Sequence, residues 1–277
     1  MRTLVKNVVQ GALAPMGLRL VKWPKGSLSP GAASSESGAI PKHFPIGTPR
    51  PWVIPADLRN RTETWAKTLV SVYEQNASWP ASIVPEGGLL LHALVRNIQP
   101  RRIVETGTCL GMSTIWMASA LQMLGDQNAR LYTYDDYRDP PDSRLAASKL
   151  FQNRLEGVRG RIAEAGLASV VEVRVGDCTK LVAEDHAIHA AAGGVQLAFI
   201  DADHSPQGAA ADFRSVEPIL AVGGYVVLHD VYPEIANHLG PRFVIDNLST
   251  IARGKYEVCD LYLAQTNYGM TILRRTA

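Results

Sequence analysis

Arg102-Ile-Val-Glu-Thr-Gly-Thr-Cys-Leu-Gly-Met-Ser-Thr-Ile-Trp-Met-Ala-Ser-Ala120 is the stretch on which the reading of this chain turns. A short apolar run, Ile103 and Val104, ends in the acid Glu105. A turn with Gly107 and Gly111 follows, and then Ile115, Trp116, Ala118 and Leu121 recur at helical spacing. Strand, glycine turn and helix in this order open a doubly wound α/β sheet. Gly107 suits a sharp turn, Gly111 suits close approach of a ligand to the backbone, and a helix start near Ser113 offers free N–H groups to an anion. A dinucleotide fingerprint would need glycine at Cys109 and Met112, so a nicotinamide or flavin is disfavoured.

The same logic extends down the chain. Arg130 to Asp136 is rich in strand formers and ends in acids. Asp135, with Asp136 in reserve, is placed to accept from ribose hydroxyls, or else to cap a helix. Ser143 to Ala165 reads as a long helix closed by Gly166. Val170 to Val175 alternates as a strand and delivers Asp177, whose carboxylate suits an adenine edge or a turn of its own. Val182 to Gly194 reads as a helix and a loose loop. The near-continuous apolar run from Val195 reads as a strand buried on both faces, ending at Asp201 with His204 just beyond. Gln207 to Leu220 reads as the next helix. Gly223 to Asp230 is a further strand ending in His229-Asp230, and Tyr256 to Leu263 with Gly269 to Arg274 suit a terminal antiparallel pair. Parallel strand ends converge, so Asp201, His204, His229 and Asp230 are expected as neighbours. Two carboxylates and imidazoles there suit a divalent cation and a base of near-neutral pKa.

Ahead of this core, Asp57 to Asn76 and Gly87 to Ile98 read as helices. Trp52, Trp65 and Trp79 fall in the same region, as core or as a pocket wall. Residues 1–50 stand apart. No acid precedes Glu36, while Arg2, Lys6, Arg19, Lys22 and Lys25 alternate with apolar residues. This segment fits an anionic membrane surface or a docked helix equally. Ser27 to Gly38 reads as a flexible linker.

Composition sets outer bounds. With 46% hydrophobic and 19% charged residues, 277 residues suit one large globular domain plus an extension. A net charge of +2 gives no case for a nucleic-acid stripe. Three widely spaced cysteines, Cys109, Cys178 and Cys259, fit small buried residues and reduced thiols in a cytoplasmic setting, and no run is long enough to span a bilayer.

The segment Glu105-x-Gly107-x-x-x-Gly111 resembles motif I of the class I S-adenosylmethionine-dependent methyltransferases. Pro85-Glu-Gly-Gly, Val104-Glu-Thr-Gly-Thr, Ala165-Gly-Leu, Phe199-Ile-Asp-Ala-Asp203 and Gly223-Gly together resemble the cation-dependent O-methyltransferases of the catechol and macrocin types, across roughly residues 80–275. The resemblance implies a Rossmann-like core at 101–277 with a helical substrate-side cap at 51–100. It implies S-adenosylmethionine held by Glu105, Gly107, Thr108, Gly111, Ser113, Asp135, Asp177 and Asp201, and a small-molecule hydroxyl acceptor such as a sugar, phenol or natural product. It further implies a divalent cation, magnesium or another, on Asp201, His229 and Asp230, with His204 as base. His229 departs from the carboxylate or amide pattern of both types, and imidazole suits softer metals than magnesium. Two rival functions remain at this level: a metal-dependent oxygenase using His204, His229 and Asp230, and a membrane-attached scaffold without catalysis. Homo-oligomer formation is left open by the sequence.

Overall fold

The structure, a computed structural model, describes residues 52–78, 81–138, 148–261 and 268–277. The basic segment and linker, Trp79 and the Asp139–Asp142 turn lie outside them. The described strands form one sheet in the order β3-β2-β1-β4-β5-β7-β6. These are β1 Arg102–Thr106, β2 Arg130–Asp135, β3 Val171–Val175, β4 Val195–Ile200, β5 Leu220–His229, β6 Tyr256–Leu261 and β7 Met270–Arg275. β1 pairs in parallel with both β2 and β4, β2 with β3, and β4 with β5. β7 runs antiparallel to β5 and β6 antiparallel to β7, the terminal antiparallel pair expected of the last two segments. The chain winds outward from β1 to β3, then returns to the other side of β1 as β4. That reversal opens a crevice between the carboxyl ends of β1 and β4.

The pleat explains why the central strands read as unbroken apolar runs. Ile103, Leu197, Phe199 and Val227 face one layer of the core, while Val104, Ala198, Ile200, Val226 and Leu228 face the other. The first layer is covered by α2 (Thr64–Tyr73), α3 (Pro85–Ile98), α4 (Met112–Gln122) and α5 (Arg154–Glu164). α8 (Pro206–Val216) and α10 (Gly240–Asp246) cover the second, through Phe213, Val216 and Val244. α4 is buried on every side, so it carries no amphipathic stripe.

Several boundaries differ from the sequence reading, each for a local reason. The expected helix over 57–76 is two, α1 (Ala56–Arg59) and α2. Between them Glu63 turns its carboxylate back onto the Thr62 N–H (3.0 Å), a side-chain bond that competes with helix. Of the long helix expected from Ser143 to Ala165, residues 143–147 lie outside the described ones; within 148–165 the helix begins at Arg154, because Asn153 takes a left-handed conformation (φ 50°). The stretch after β3 holds two short helices, α6 (Cys178–Glu184) and α7 (His186–Ala191), rather than one helix and a loop. Cys109 and Cys178 are half-buried and Cys259 is exposed on edge strand β6, against the expectation of three buried residues. All three cysteines are free.

Trp65 is buried and Trp52 packs edge-on against Tyr73, so both serve the core. Trp65, His92 and Trp116 form one aromatic cluster, with Trp116 Nε1 donating to Tyr73 Oη at 3.0 Å. Among the described residues no helix is long and apolar enough to cross a membrane.

Candidate active site

Two groups of residues meet at the carboxyl edge of the sheet. The first is the glycine turn after β1. Gly107 has φ +89°, and a Cβ there would sit 2.3 Å from the Asp201 carbonyl oxygen. Only glycine allows the β1 turn to pass this close to the end of β4. Gly111 caps α4 with φ +77°, and its would-be Cβ faces Val158 of α5 at 3.4 Å rather than open space. Backbone conformation and packing against Val158 thus each call for a small residue at Gly111. No side chain caps α4, so its first N–H groups keep their partial positive charge.

Glu105 is wholly buried beneath this turn. Ser113 Oγ donates to one of its carboxylate oxygens and Thr114 Oγ1 to the other, each at 2.5 Å. Burial dominates those bonds and pushes Glu105 up to about 7. Thr108 is turned inward, its hydroxyl 2.5 Å from that of Thr133.

Asp135 ends β2 nearby. Its Oδ2 accepts from Cys109 N–H (2.8 Å), and its Oδ1 accepts from Tyr137 N–H (2.6 Å) and Arg154 (3.2 Å). The carboxylate thus stitches the glycine turn to β2. Asp177 lies on the exposed rim, where it caps α6 through Lys180 N–H (3.2 Å) and accepts from Thr179 Oγ1 (2.6 Å).

The second group gathers around Asp201. Its Oδ1 lies 3.2 Å from His204 Nε2 and 3.2 Å from His229 Nδ1, both within hydrogen-bond reach. Asp230 Oδ1 is also 3.2 Å from His229 Nδ1, out of line for a hydrogen bond. Asp230 itself carries φ +57°, a left-handed conformation that aspartate tolerates and that swings its carboxylate off the end of β5. The sequence reading expected all four of these residues as neighbours, and the structure brings them together.

A fifth member, His238, had been passed over. Its ring stacks on that of His204 with centroids 4.2 Å apart, and its Nε2 lies 3.7 Å from Asp230 Oδ2. It sits in the loop between α9 (Pro233–Ala236) and α10, a stretch without periodicity. The only hint in the sequence was a histidine within a few residues of Gly240 and Pro241, shortly after Asp230.

Electrostatics differ within the cluster. Burial disfavours charge on His229, but the carboxylates of Asp201 and Asp230 outweigh it and lift the imidazole to about 9. Burial likewise opposes charge on His204, and the Asp201 bond with the Asp230 field raises it above its ordinary value. His238 is lowered, by burial and by the neighbouring His204. Asp201 is held well below the usual carboxylate range; both histidines oppose its burial.

Does this cluster fit the magnesium ion that the resemblance implies? Asp201, His229 and Asp230 present donor atoms within 4.8 Å of one another. Magnesium demands oxygen ligands. Here the His229 imidazole stands between the two carboxylates, 3.2 Å from an oxygen of each, where a hard cation would have to bridge them. The donor set fits magnesium poorly and a softer divalent ion better.

Comparison with known proteins agrees with this architecture. Residues 104–231 match a family model described as a methyltransferase domain. A catechol O-methyltransferase of Niastella koreensis is 34% identical over 131 residues, 47% of this chain and 50% of that protein. The chain thus spans about half the length of this curated relative. The O-methyltransferase TomG from Streptomyces achromogenes, solved with SAM, superposes with a TM-score of 0.59 at 23% identity, over 78% of this chain and 91% of that one. An O-methyltransferase from Bacillus cereus, solved with SAH, gives 0.56 at 24% identity, over 75% and 89%. These likenesses establish the fold. The glycine turn, the strand order and the matched segment agree: residues 104–231 resemble a methyltransferase domain, and the doubly wound sheet that holds them is shared with these solved O-methyltransferases.

Proposed function

We propose that this chain transfers a methyl group from S-adenosylmethionine to a hydroxyl of a small molecule, a sugar, phenol or natural product. One juxtaposition carries the reading: an uncapped helix start over a buried acid lies beside an imidazole held by an aspartate, across a single strand-order reversal. When bound, S-adenosylmethionine supplies a methyl group made electrophilic by its sulfonium. The start of α4 and the buried Glu105 suit the carboxylate and ammonium of its amino-acid end. Gly107 leaves room for the chain between β1 and β4. Asp135 Oδ2 accepts one hydrogen bond and has capacity left for a ribose hydroxyl. Asp177 on the rim is within its capacity to accept from adenine while capping α6.

His204 is the base. The Asp201 contact at 3.2 Å supports a proton on Nε2, which makes Nδ1 the atom that takes the acceptor proton. Transfer is an in-line displacement, so the walls that orient the hydroxyl set much of the rate. The Ala81–Pro85 loop supports a cap role for residues 51–100, because Cys109 Sγ of the glycine turn donates to Ala81 O at 3.3 Å. The free cysteines support a reducing, cytoplasmic setting.

The test is calorimetric titration with S-adenosylhomocysteine, followed by methyl transfer to a panel of catechols and sugars. His204→Ala should keep S-adenosylhomocysteine affinity and lose turnover by about 10²–10⁴-fold, the usual worth of a positioned base. Undiminished turnover refutes the role of His204. Absence of S-adenosylhomocysteine binding by the folded protein refutes the methyl-transfer reading itself.

A further inference from the structure

The loop carrying His238 is fixed against His204 by its own backbone. Gly240 N–H donates to the His204 carbonyl at 2.8 Å. A Cβ on Gly240 would lie 2.6 Å from that oxygen, so the contact depends on glycine. This clamp sets His238 over His204 and aims both rings at one edge of Asp230.

The distances there do not describe hydrogen bonds. Asp230 Oδ2 is 3.6 Å from His204 Nε2 and 3.7 Å from His238 Nε2, beyond the range of a good bond. The other carboxylate oxygen, Oδ1, is buried and without a hydrogen-bond partner, and Asp230 as a whole is 8% exposed. The His229 imidazole, 3.2 Å from Oδ1, offsets part of the charge, but a buried carboxylate without a hydrogen bond is still costly. Donors around a tetrahedral zinc, at about 2.0–2.2 Å from the ion, lie roughly 3.3 Å apart. The two spacings from Asp230 Oδ2 need close by only a few tenths of an ångström, roughly, to meet that figure, and all three donor atoms already lie within 4.8 Å of one another.

We propose that His204, Asp230 and His238 form a binding site for a zinc-class divalent cation, with His238 as the ligand that selects it over magnesium. Two imidazoles and one carboxylate match the preference of zinc and cobalt, and a hard alkaline-earth ion gains little from them. The site is open on one side, since the His238 side chain is 42% exposed, which leaves a coordination position for water or a ligand oxygen. A cation there would also silence the base. An imidazole that gives its Nε2 lone pair to a metal carries its proton on Nδ1 and has no lone pair left to accept another. This last consequence rests on the proposed role of His204 in methyl transfer; the binding site does not.

The experiment uses the full chain, stripped with chelator, without cofactor or acceptor. Titration with Co2+ is followed by visible ligand-field absorption, and Zn2+ and Mg2+ are titrated by calorimetry. The expected result is one equivalent of Co2+ with a visible band, competed by Zn2+ and untouched by millimolar Mg2+. His238→Ala should lose at least about tenfold in Co2+ affinity and change the band, while His186→Ala, a substitution outside the cluster, changes neither. Asp230→Asn provides a second variant, expected to lose the site with the same native circular dichroism. Equal Co2+ affinity in His238→Ala, Mg2+ binding as tight as Zn2+, or no binding at all would each overturn the proposal. Reversible loss of methyl transfer at saturating Zn2+ is then scored separately, so failure of the methyl-transfer reading leaves the metal result legible.

Discussion

Glu105→Gln isolates the electrostatic cost of the buried acid beneath the glycine turn. Glu105 has no exposure, and burial raises it from the usual 4.5 to about 7 despite two hydroxyl donors. Because the folded value lies above the unfolded one, the group's contribution to stability is fully present below pH 4.5. It is lost as pH rises through about 7. The full difference corresponds to about 3 kcal/mol, of which about 2 kcal/mol falls between pH 5 and pH 8. Glutamine stays neutral throughout, and the Ser113 and Thr114 hydroxyls can rotate to meet its amide. The variant should therefore gain about 2 kcal/mol on the wild type between those two pH values, or roughly 4–8 °C in relative melting temperature for a domain of this size. Chemical denaturation at pH 5 and pH 8 measures the double difference directly, and any pH-independent offset from altered packing cancels. A difference that does not change with pH would refute the reasoning, because it would mean that the two hydroxyls fully offset burial of the charge. The same variant should bind S-adenosylhomocysteine more weakly above about pH 7, where the acid proposed to meet its ammonium is charged.

Asp177→Ala separates two roles of one carboxylate: loss of the α6 cap should cost about 1 kcal/mol in denaturant, and a weakened S-adenosylhomocysteine affinity in the same protein would add the adenine contact, whereas unchanged affinity removes it. Phe199→Ala empties a fully buried position on the central strand and should destabilise by roughly 3–5 kcal/mol; a loss under about 1 kcal/mol would show that the layer collapses around the gap.

Much of this architecture was open to inspection in the chain. Glu105 and Gly107 were legible because strand, turn and helix leave three different signatures within twenty residues. Asp201, His204, His229 and Asp230 could be grouped because parallel topology forces distant strand ends together. What escaped lacked periodicity or depended on a single torsion. Asn153 reads as a tolerable helix residue, and only its left-handed backbone shows why α5 starts so late. His238 lies in a loop, and its partnership with Asp230 depends on a glycine contact to His204 that no sequence pattern encodes. The double duty of Asp135, bracing Cys109, Tyr137 and Arg154, was likewise hidden, since the bonds to Cys109 and Arg154 join segments remote in sequence.

The near-collision of Gly107 with the Asp201 carbonyl has an evolutionary meaning. Two motifs on separate strands share a single steric allowance, so neither can drift alone. A side chain at 107 would have to be matched by a retreat of the β4 terminus, which would carry Asp201 away from both histidines at once. Mutational libraries that diversify the turn while holding the β4 end fixed would therefore return mostly inactive clones, and recombination breakpoints between residues 107 and 201 should be tolerated only when both parents keep this glycine. The turn after β1 and the end of β4 are inherited as one part.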